Sequence, residues 1–240
     1  MKNIVYLLII LVLSSCIEIT QEIQLKKNLS GSVVYTVDMS KMKDIIESLK
    51  SLGDPSNDSG LGNADKQFSD YAKSLKNIQG ISKVKLTTKK FVYKIYFDFN
   101  NIDALNKALT LLNSGKGNLE QNTIEYIQVE NNQIIVRNSI QINSNSSLFK
   151  LPDNTENQQE GNEMGDTIVQ ENENQEKQGD EEIMKALFTD ATYTTVLKLY
   201  KNVVSNSHPN AKVSGKKVTL KLPILDLDKK ENAQNIITIK

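Results

Sequence analysis

The sequence predicts an α+β domain in which a mainly antiparallel sheet, built from hairpins, carries two to four helices packed on one face. Two periodicities support this fold class. In several stretches apolar and polar residues alternate, as in a strand with one buried face. In others, apolar residues recur every three or four positions, as in a helix with one buried stripe. A third observation is a long polar stretch that begins near residue 143 and separates the predicted elements into two groups.

The first predicted hairpin lies close to the N-terminus. Ile17, Ile19 and Ile23 share one parity, while glutamate, threonine and glutamine occupy the other. A turn over residues 26–31 leads to a second alternating stretch over residues 33–39. Each strand is therefore expected to bury one face.

Two helices are expected next. Ser40 is a residue type that caps helices, and an apolar stripe follows it to Leu52. The second helix carries aligned apolar residues from Phe68 to Ile78, and Gly80 lies where a left-handed residue closes a helix.

The second hairpin contains the most apolar strand of the chain. Its first strand includes Val84 and Leu86, and its turn is expected at residues 88–90. The next strand places five large side chains on one face, called here the aromatic face: Phe91, Tyr93, Ile95, Phe97 and Phe99. Such a face usually packs as core beneath helices. If the sheet curves away from the helices, the same residues would line a cavity for an apolar ligand.

The remaining elements lie on both sides of the polar stretch. We predict a helix capped by Asn101, a hairpin of residues 124–129 and 133–142, a helix at 181–188, and strands at 193–200, 217–222 and 236–239. Residues 143–180 contain too few apolar side chains to offset the entropy of ordering, so they are predicted to be a disordered acidic insertion. Because the C-terminal part alone would make a small unit with exposed strand edges, residues 16–142 and 181–240 are predicted to form one domain.

The N-terminus has the proportions of a signal peptide. The apolar run from Ile4 to Leu13 follows Lys2 and would rise only about 15 Å as a helix, half of the roughly 30 Å hydrocarbon core. Its end, LSSC at residues 13–16, resembles the lipobox of bacterial lipoproteins. The resemblance implies that residues 1–15 are removed and that lipid is attached to Cys16. Ile17, in place of the aspartate that retains enterobacterial lipoproteins in the inner membrane, favours the outer membrane.

Charge and cysteine content indicate which partners the protein can bind and how its fold is stabilised. The formal net charge is zero, yet residues 153–182 hold 11 acidic residues and one lysine, which leaves the rest of the chain basic. No stretch of the sequence interleaves basic and aromatic residues in the way that is typical of nucleic-acid binding. A single cysteine cannot form an intramolecular disulfide, so the fold must be held by burial alone.

The loop from Asp54 to Asp65 contains the first candidate metal site. Oxygen-bearing residues stand at positions 1, 3 and 5 of a calcium loop, but Ser59 occupies the position that requires glycine. The final position also lacks the bidentate glutamate. A solvated loop is the favoured interpretation.

Two further polar features of the sequence are also weak candidates for a functional site. Asp226 and Asp228 resemble the carboxylates of a metal or sugar-nucleotide site, but no third ligand lies nearby in sequence. His208 is the single histidine and lies in a proline-containing turn, and no G-x-S-x-G motif accompanies it. We therefore predict no catalytic residue, metal or cofactor. An envelope hydrolase with spatially paired carboxylates stays open, because such pairing is invisible in sequence.

The first forty residues show a family resemblance. The lipobox cysteine, the alternating strand, a turn ending in Ser30 and Gly31, and a strand over residues 33–39 that leads into a helix resemble the opening of LppM-type bacterial lipoproteins. The resemblance implies an α+β domain of the cell envelope that binds envelope lipids or glycolipids, and it supplies no catalytic residues.

The functional expectation follows from these observations. We expect a non-catalytic binding module that is attached to the membrane by lipid on Cys16 and interacts with an envelope protein or lipid. The alternative is a lipid or glycolipid carrier whose apolar cavity is lined by the aromatic face.

Overall fold

The computed structural model describes residues 17–44, 64–114, 123–138, 188–227 and 229–240. Within these ranges the strands are β1 (Glu18–Leu25), β2 (Gly31–Asp38), β3 (Ile81–Lys89), β4 (Val92–Phe99), β5 (Ile127–Glu130), β6 (Gln133–Arg137), β7 (Thr192–Lys198), β8 (Val203–Asn206), β9 (Lys212–Ser214), β10 (Lys217–Pro223) and β11 (Gln234–Ile239), and the helices are α1 (Ala64–Lys76) and α2 (Ile102–Ser114). Several predicted features lie wholly or largely outside the described residues: the signal peptide at 1–15, Cys16, the acidic loop at 54–58, the insertion at 143–180 and the helix at 181–188, of which only Phe188 is described.

Seven strands form the larger sheet, in the order β3-β4-β2-β1-β7-β10-β9. Neighbouring strands are antiparallel except β1 and β7, which run parallel with Glu18 opposite Thr192. The predicted α+β class and mainly antiparallel sheet agree with this order. Through β1 and β7, the sheet joins the chain before the polar stretch to the chain after it.

A second, wholly antiparallel sheet has the order β5-β6-β11-β8. The prediction of one sheet is therefore incomplete. The sequence also gives no sign of two short strands, β8 in this sheet and β9 in the larger one, which span only four and three residues. Strands of this length carry too little alternation to be recognised locally.

Both helices lie against the hairpin of β3 and β4. On α1, the Phe68 ring stacks on the Tyr93 ring, with centroids 4.3 Å apart. The α2 helix begins as predicted, because the Asn101 side-chain oxygen accepts a hydrogen bond from the Ala104 backbone N–H at 2.8 Å. At Ser40 the chain forms a short 3₁₀ turn, Ser40–Met42, and most of that predicted helix lies outside the described residues. Among the described helices, none is long and apolar enough to cross a membrane.

The hairpin of β3 and β4 differs from its predicted boundaries. Strand β3 continues to Lys89, so the turn consists of Lys90 and Phe91, whose φ angles are 48° and 62°. Strand β3 is a sheet edge with no fully buried residue, and its polar end therefore resembles a turn in the sequence. Phe91 consequently lies in the turn and is half-buried, whereas the other four residues of the aromatic face are buried in β4.

The core lies on one side of the larger sheet. Along β1 and β2 buried and half-buried residues alternate, as the sequence predicts. The second sheet contributes to this core at the β7 and β10 end, where Leu197 and Leu220 face Val136 and Ile237 across a space of about 10 Å³, which is room for one water molecule.

Candidate functional site

The candidate site is built on a polar stripe along α2. Asn106, Thr110 and Asn113 are 5%, 8% and 3% exposed on a helix whose other buried residues are apolar. Spacings of four and three residues place all three on one helical face. The stripe meets the chain segment that leads into β5.

Two of these side chains hold that segment by its backbone. The Asn106 Nδ2 donates to the Ile127 carbonyl, and its Oδ1 accepts from the Ile127 N–H, both at 2.9 Å. Thr110 Oγ1 accepts from the Ile124 N–H at 3.0 Å and donates to the Asn106 carbonyl at 2.8 Å. Three of these hydrogen bonds therefore fix the chain entering β5 against the helix, and the fourth lies within α2.

Asn106 also closes part of a sheet edge. Strand β5 is the edge of the smaller sheet, and the Arg137 N–H of β6 donates to the Tyr126 carbonyl. Because successive residues of a strand direct their backbone groups to opposite sides, Ile127 directs its groups away from β6. The Asn106 amide takes the place of a neighbouring strand there, which protects the edge from pairing with another chain.

A groove of about 410 Å³ lies between the first turns of α2 and β5, and we call it the α2–β5 groove. This volume falls within the roughly 300–1,000 Å³ typical of ligand sites. Its apolar lining comes from Ile102, Ile127 and Val129. The polar lining consists of Asp103, Asn106, Thr123, Glu125, Gln128 and Glu130.

The charge of the α2–β5 groove is negative. Asp103 forms an ion pair with Lys107 at 2.8 Å, one turn along the helix, and Glu125 accepts a hydrogen bond from the Gln128 side chain. Carboxylates beside an apolar lining suit a ligand that combines a cationic group with an apolar portion.

The third residue of the stripe belongs to a buried polar cluster. Burial raises the pKa of Tyr126 to about 12, against the opposing effect of the nearby Asn113 amide. Burial also raises the pKa of Tyr193, whose hydroxyl donates to the Gln21 side-chain oxygen at 2.9 Å. In the described part of the chain, the Tyr126 hydroxyl and both amide atoms of Asn113 are buried without a hydrogen-bond partner of normal geometry. Such groups cost stability.

The aromatic face packs against α1 and lines neither the α2–β5 groove nor the water-sized space between the sheets. Tyr93, Ile95, Phe97 and Phe99 are between 0% and 2% exposed. These four side chains belong to the hydrophobic core.

His208 occupies a structural position. It is 3% exposed, its Nδ1 accepts from the Asn210 N–H at 3.2 Å, and its Nε2 lies 3.1 Å from the Asn232 side-chain oxygen. This pattern assigns the proton to Nε2, which donates to Asn232. With both ring nitrogens occupied, His208 links the turn before β9 to the turn before β11.

The acidic candidates that the structure describes, Asp65 and Asp226, lie in separate elements. Asp226 pairs with Lys229 at 2.7 Å, and Asp228 lies outside the described residues. Asp65 lies in the first turn of α1. Across the described ranges, no group of three or more His, Cys, Asp or Glu side chains is placed to hold a metal ion.

Sequence reasoning missed the α2–β5 groove. The signal was present, since three polar residues at helical spacing interrupt an otherwise apolar helix face. Their partners are backbone groups of a strand, however, and no side-chain pattern records those.

Comparisons with known proteins give a structural likeness to a solved domain. No protein-family model matches the chain, and no curated protein matches it. The NMR structure of the folded domain of the Mycobacterium tuberculosis LppM protein is similar, with a TM-score of 0.40, 10% sequence identity, and coverage of 93% of this chain and 89% of that chain. At this TM-score the likeness carries no argument about the site or the function.

Proposed function

We propose that the protein is a lipid-anchored lipoprotein of the bacterial cell envelope and that its domain is a non-catalytic binding module. The α2–β5 groove would bind a partner protein by a segment with a cationic side chain beside an apolar one. The observation that carries this proposal is the groove itself, about 410 Å³ in volume, whose lining combines three apolar residues with six polar ones that include three carboxylates.

The groove is well suited to such a role because its two walls are fixed to each other. Asn106 and Thr110 hold the β5 segment by backbone groups, so binding would not need to order the wall first. Preorganised sites lose less free energy on binding than mobile ones.

The anchor would set where the module works. LSSC at residues 13–16 is the basis for lipid on Cys16, and β1 begins at Glu18. Two acyl chains or more give stable attachment, whereas one gives marginal attachment. Confinement to the membrane would raise the effective concentration of the domain beside a partner in the same envelope.

Site-specific photo-crosslinking in cells tests the groove. We would replace Gln128 with a photoreactive phenylalanine derivative, and place the same residue at Asn77, which is exposed just after α1, as the matched control. The proposal expects one discrete adduct from position 128, no such adduct from position 77, and loss of the adduct when Glu125→Gln and Glu130→Gln are added. No adduct at position 128, or equal adducts at both positions, would contradict the proposed binding role of the groove.

A further inference from the structure

The larger sheet has one face that neither described helix covers. Its outward positions are exposed or half-buried, apart from Val196, which is 8% exposed. We call this the open face, and it consists of the outward side chains of β1, β2, β3, β4, β7, β9 and β10. The opposite face carries the core.

Strand pairing arranges the open face in rows. One row crosses six strands in register, a distance of roughly 24 Å at a strand spacing of about 4.8 Å. From β10 to β3 its residues are Lys221, Thr194, Thr20, Thr36, Lys94 and Thr87. The next row runs from Lys212 through Thr219, Val196, Glu22, Val34 and Tyr96 to Lys85. Uncharged residues thus dominate the middle of the face, and lysines flank it.

The carboxylates of the open face are already engaged. Glu22 pairs with Lys198 at 2.8 Å and Asp98 with Lys83 at 2.8 Å. The hydrogen bonds from Lys83 and Tyr96 hold the pKa of Asp98 below its ordinary value. Glu18 lies 3.4 Å from Lys41, and Asp38 accepts hydrogen bonds from Ser40. Among the described residues, Lys85, Lys94 and Lys221 have no ion pair.

Protection of a sheet edge explains only part of this pattern. Lysine on an edge strand discourages pairing with another chain, which accounts for Lys85 on β3. Lys94 lies on β4, between β3 and β2, where there is no edge to protect. A polar face with lysines outside ion pairs on both flanks is complementary to a negatively charged surface.

We propose that the open face lies against the anionic lipid headgroups of the membrane that holds the anchor. This inference rests on the proposed lipid at Cys16, because two residues of chain span at most about 7 Å and so bring the bilayer surface to Glu18 at the start of the central strand. The anchor supplies attachment, and the open face fixes which side of the domain is turned to the lipid. The α2–β5 groove, built on the helix side of the sheet, is left accessible.

Vesicle binding by the unlipidated mature chain, carrying Cys16→Ala, tests this docking without the anchor. The probes are vesicles of phosphatidylcholine alone and of phosphatidylcholine with phosphatidylglycerol. We expect binding to the anionic vesicles alone, weakened by salt. Each lysine near an anionic surface contributes about fivefold in partitioning, so Lys85→Gln, Lys94→Gln and Lys221→Gln together are expected to weaken binding about a hundredfold.

The matched control removes three lysines from the helix side of the sheet: Lys73, Lys76 and Lys107, each changed to glutamine. We expect a loss of less than about fivefold, because the change in net charge is equal but these lysines face away from the bilayer. Equal losses in both triple variants, an unchanged open-face variant, or a parent that does not bind anionic vesicles would overturn the proposal. None of these outcomes bears on the proposed anchor, because lipid on Cys16 is tested separately by the mass of the protein extracted from membranes.

Discussion

Asn106 on α2 holds Ile127 on β5 by both of its backbone groups, donating to the carbonyl and accepting from the N–H at 2.9 Å each. One side chain thereby closes a sheet edge, aligns one wall of the α2–β5 groove and joins the smaller sheet to the helix layer. The same helix carries Asn113, an amide buried without a hydrogen-bond partner of normal geometry in the described chain. We therefore expect the two asparagines of this helix face to make opposite contributions to stability.

Replacing each asparagine by leucine is expected to separate these contributions. Asn106→Leu leaves the buried Ile127 groups without partners and should destabilise the protein by about 3 kcal/mol, whereas Asn113→Leu removes unpaired polar atoms and should be near neutral or stabilising. Both changes add similar volume and helix propensity, so the difference between them is the informative quantity. Urea unfolding followed by circular dichroism measures it, and equal free energies of unfolding for the two variants would refute the assignment.

A second pair of substitutions concerns the buried tyrosines. Tyr126→Phe removes a hydroxyl with no partner of normal geometry in the described chain and is expected to be neutral or stabilising by about 1 kcal/mol at neutral pH. Tyr193→Phe removes the hydrogen bond to Gln21 and is expected to destabilise by about 1 kcal/mol. Thermal unfolding of the two variants provides the measurement. If Tyr126→Phe is the more destabilising of the two, its hydroxyl forms a stabilising hydrogen bond and the prediction is wrong.

The raised pKa of Tyr126 also predicts that the stability of the fold depends on pH in the alkaline range. Its pKa is raised from 10.0 to about 12 in the folded protein, so the unfolded state releases this proton first. The resulting stabilisation is complete below about pH 10 and is lost as the pH rises through about 12. Stability measured across this window should fall less steeply for Tyr126→Phe than for the parent. Parallel pH profiles would show that Tyr126 titrates normally.

Gly31 tests the hairpin that begins the fold. A Cβ at this position would lie 1.8 Å from the Gln24 carbonyl oxygen and 2.7 Å from the Phe99 ring, so Gly31→Ala must displace β2 from β1 or β4. Gly215 is the control, because it has a φ of 57° but no described atom lies within 4 Å of the place that a Cβ would occupy. We expect Gly215→Ala to cost about 1 kcal/mol from backbone strain and Gly31→Ala to cost several times more. Similar losses of unfolding free energy in both variants would contradict the packing argument.

Local signals account for the parts of the fold that the sequence predicts well. Asn131 and Asn132 adopt positive φ angles of 46° and 79° between β5 and β6, as their residue type favours in a two-residue turn. Asn101 caps α2 for an equally local reason. Each of these elements is decided by residues that are close together in the chain.

Long-range pairing accounts for what the sequence does not reveal. The parallel contact of β1 with β7 joins residues that are far apart in the chain, such as Glu18 and Thr192, and no local alternation specifies it. The α2–β5 groove depends on the contact of Asn106 with backbone atoms of Ile127. Because almost every residue has these backbone atoms, the sequence does not reveal this contact. The lysine flanks of the open face likewise come together only through strand register.

Mass spectrometry of the full protein, extracted from bacterial membranes in mild detergent, tests the proposed anchor most directly. We expect a chain that starts at Cys16 and carries diacylglycerol on that residue and an acyl group on its new N-terminus. We also expect Cys16→Ala to remove the protein from membranes washed in high salt. An unmodified Cys16 in the membrane-extracted protein, or a Cys16→Ala chain that stays in salt-washed membranes, would contradict the central claim.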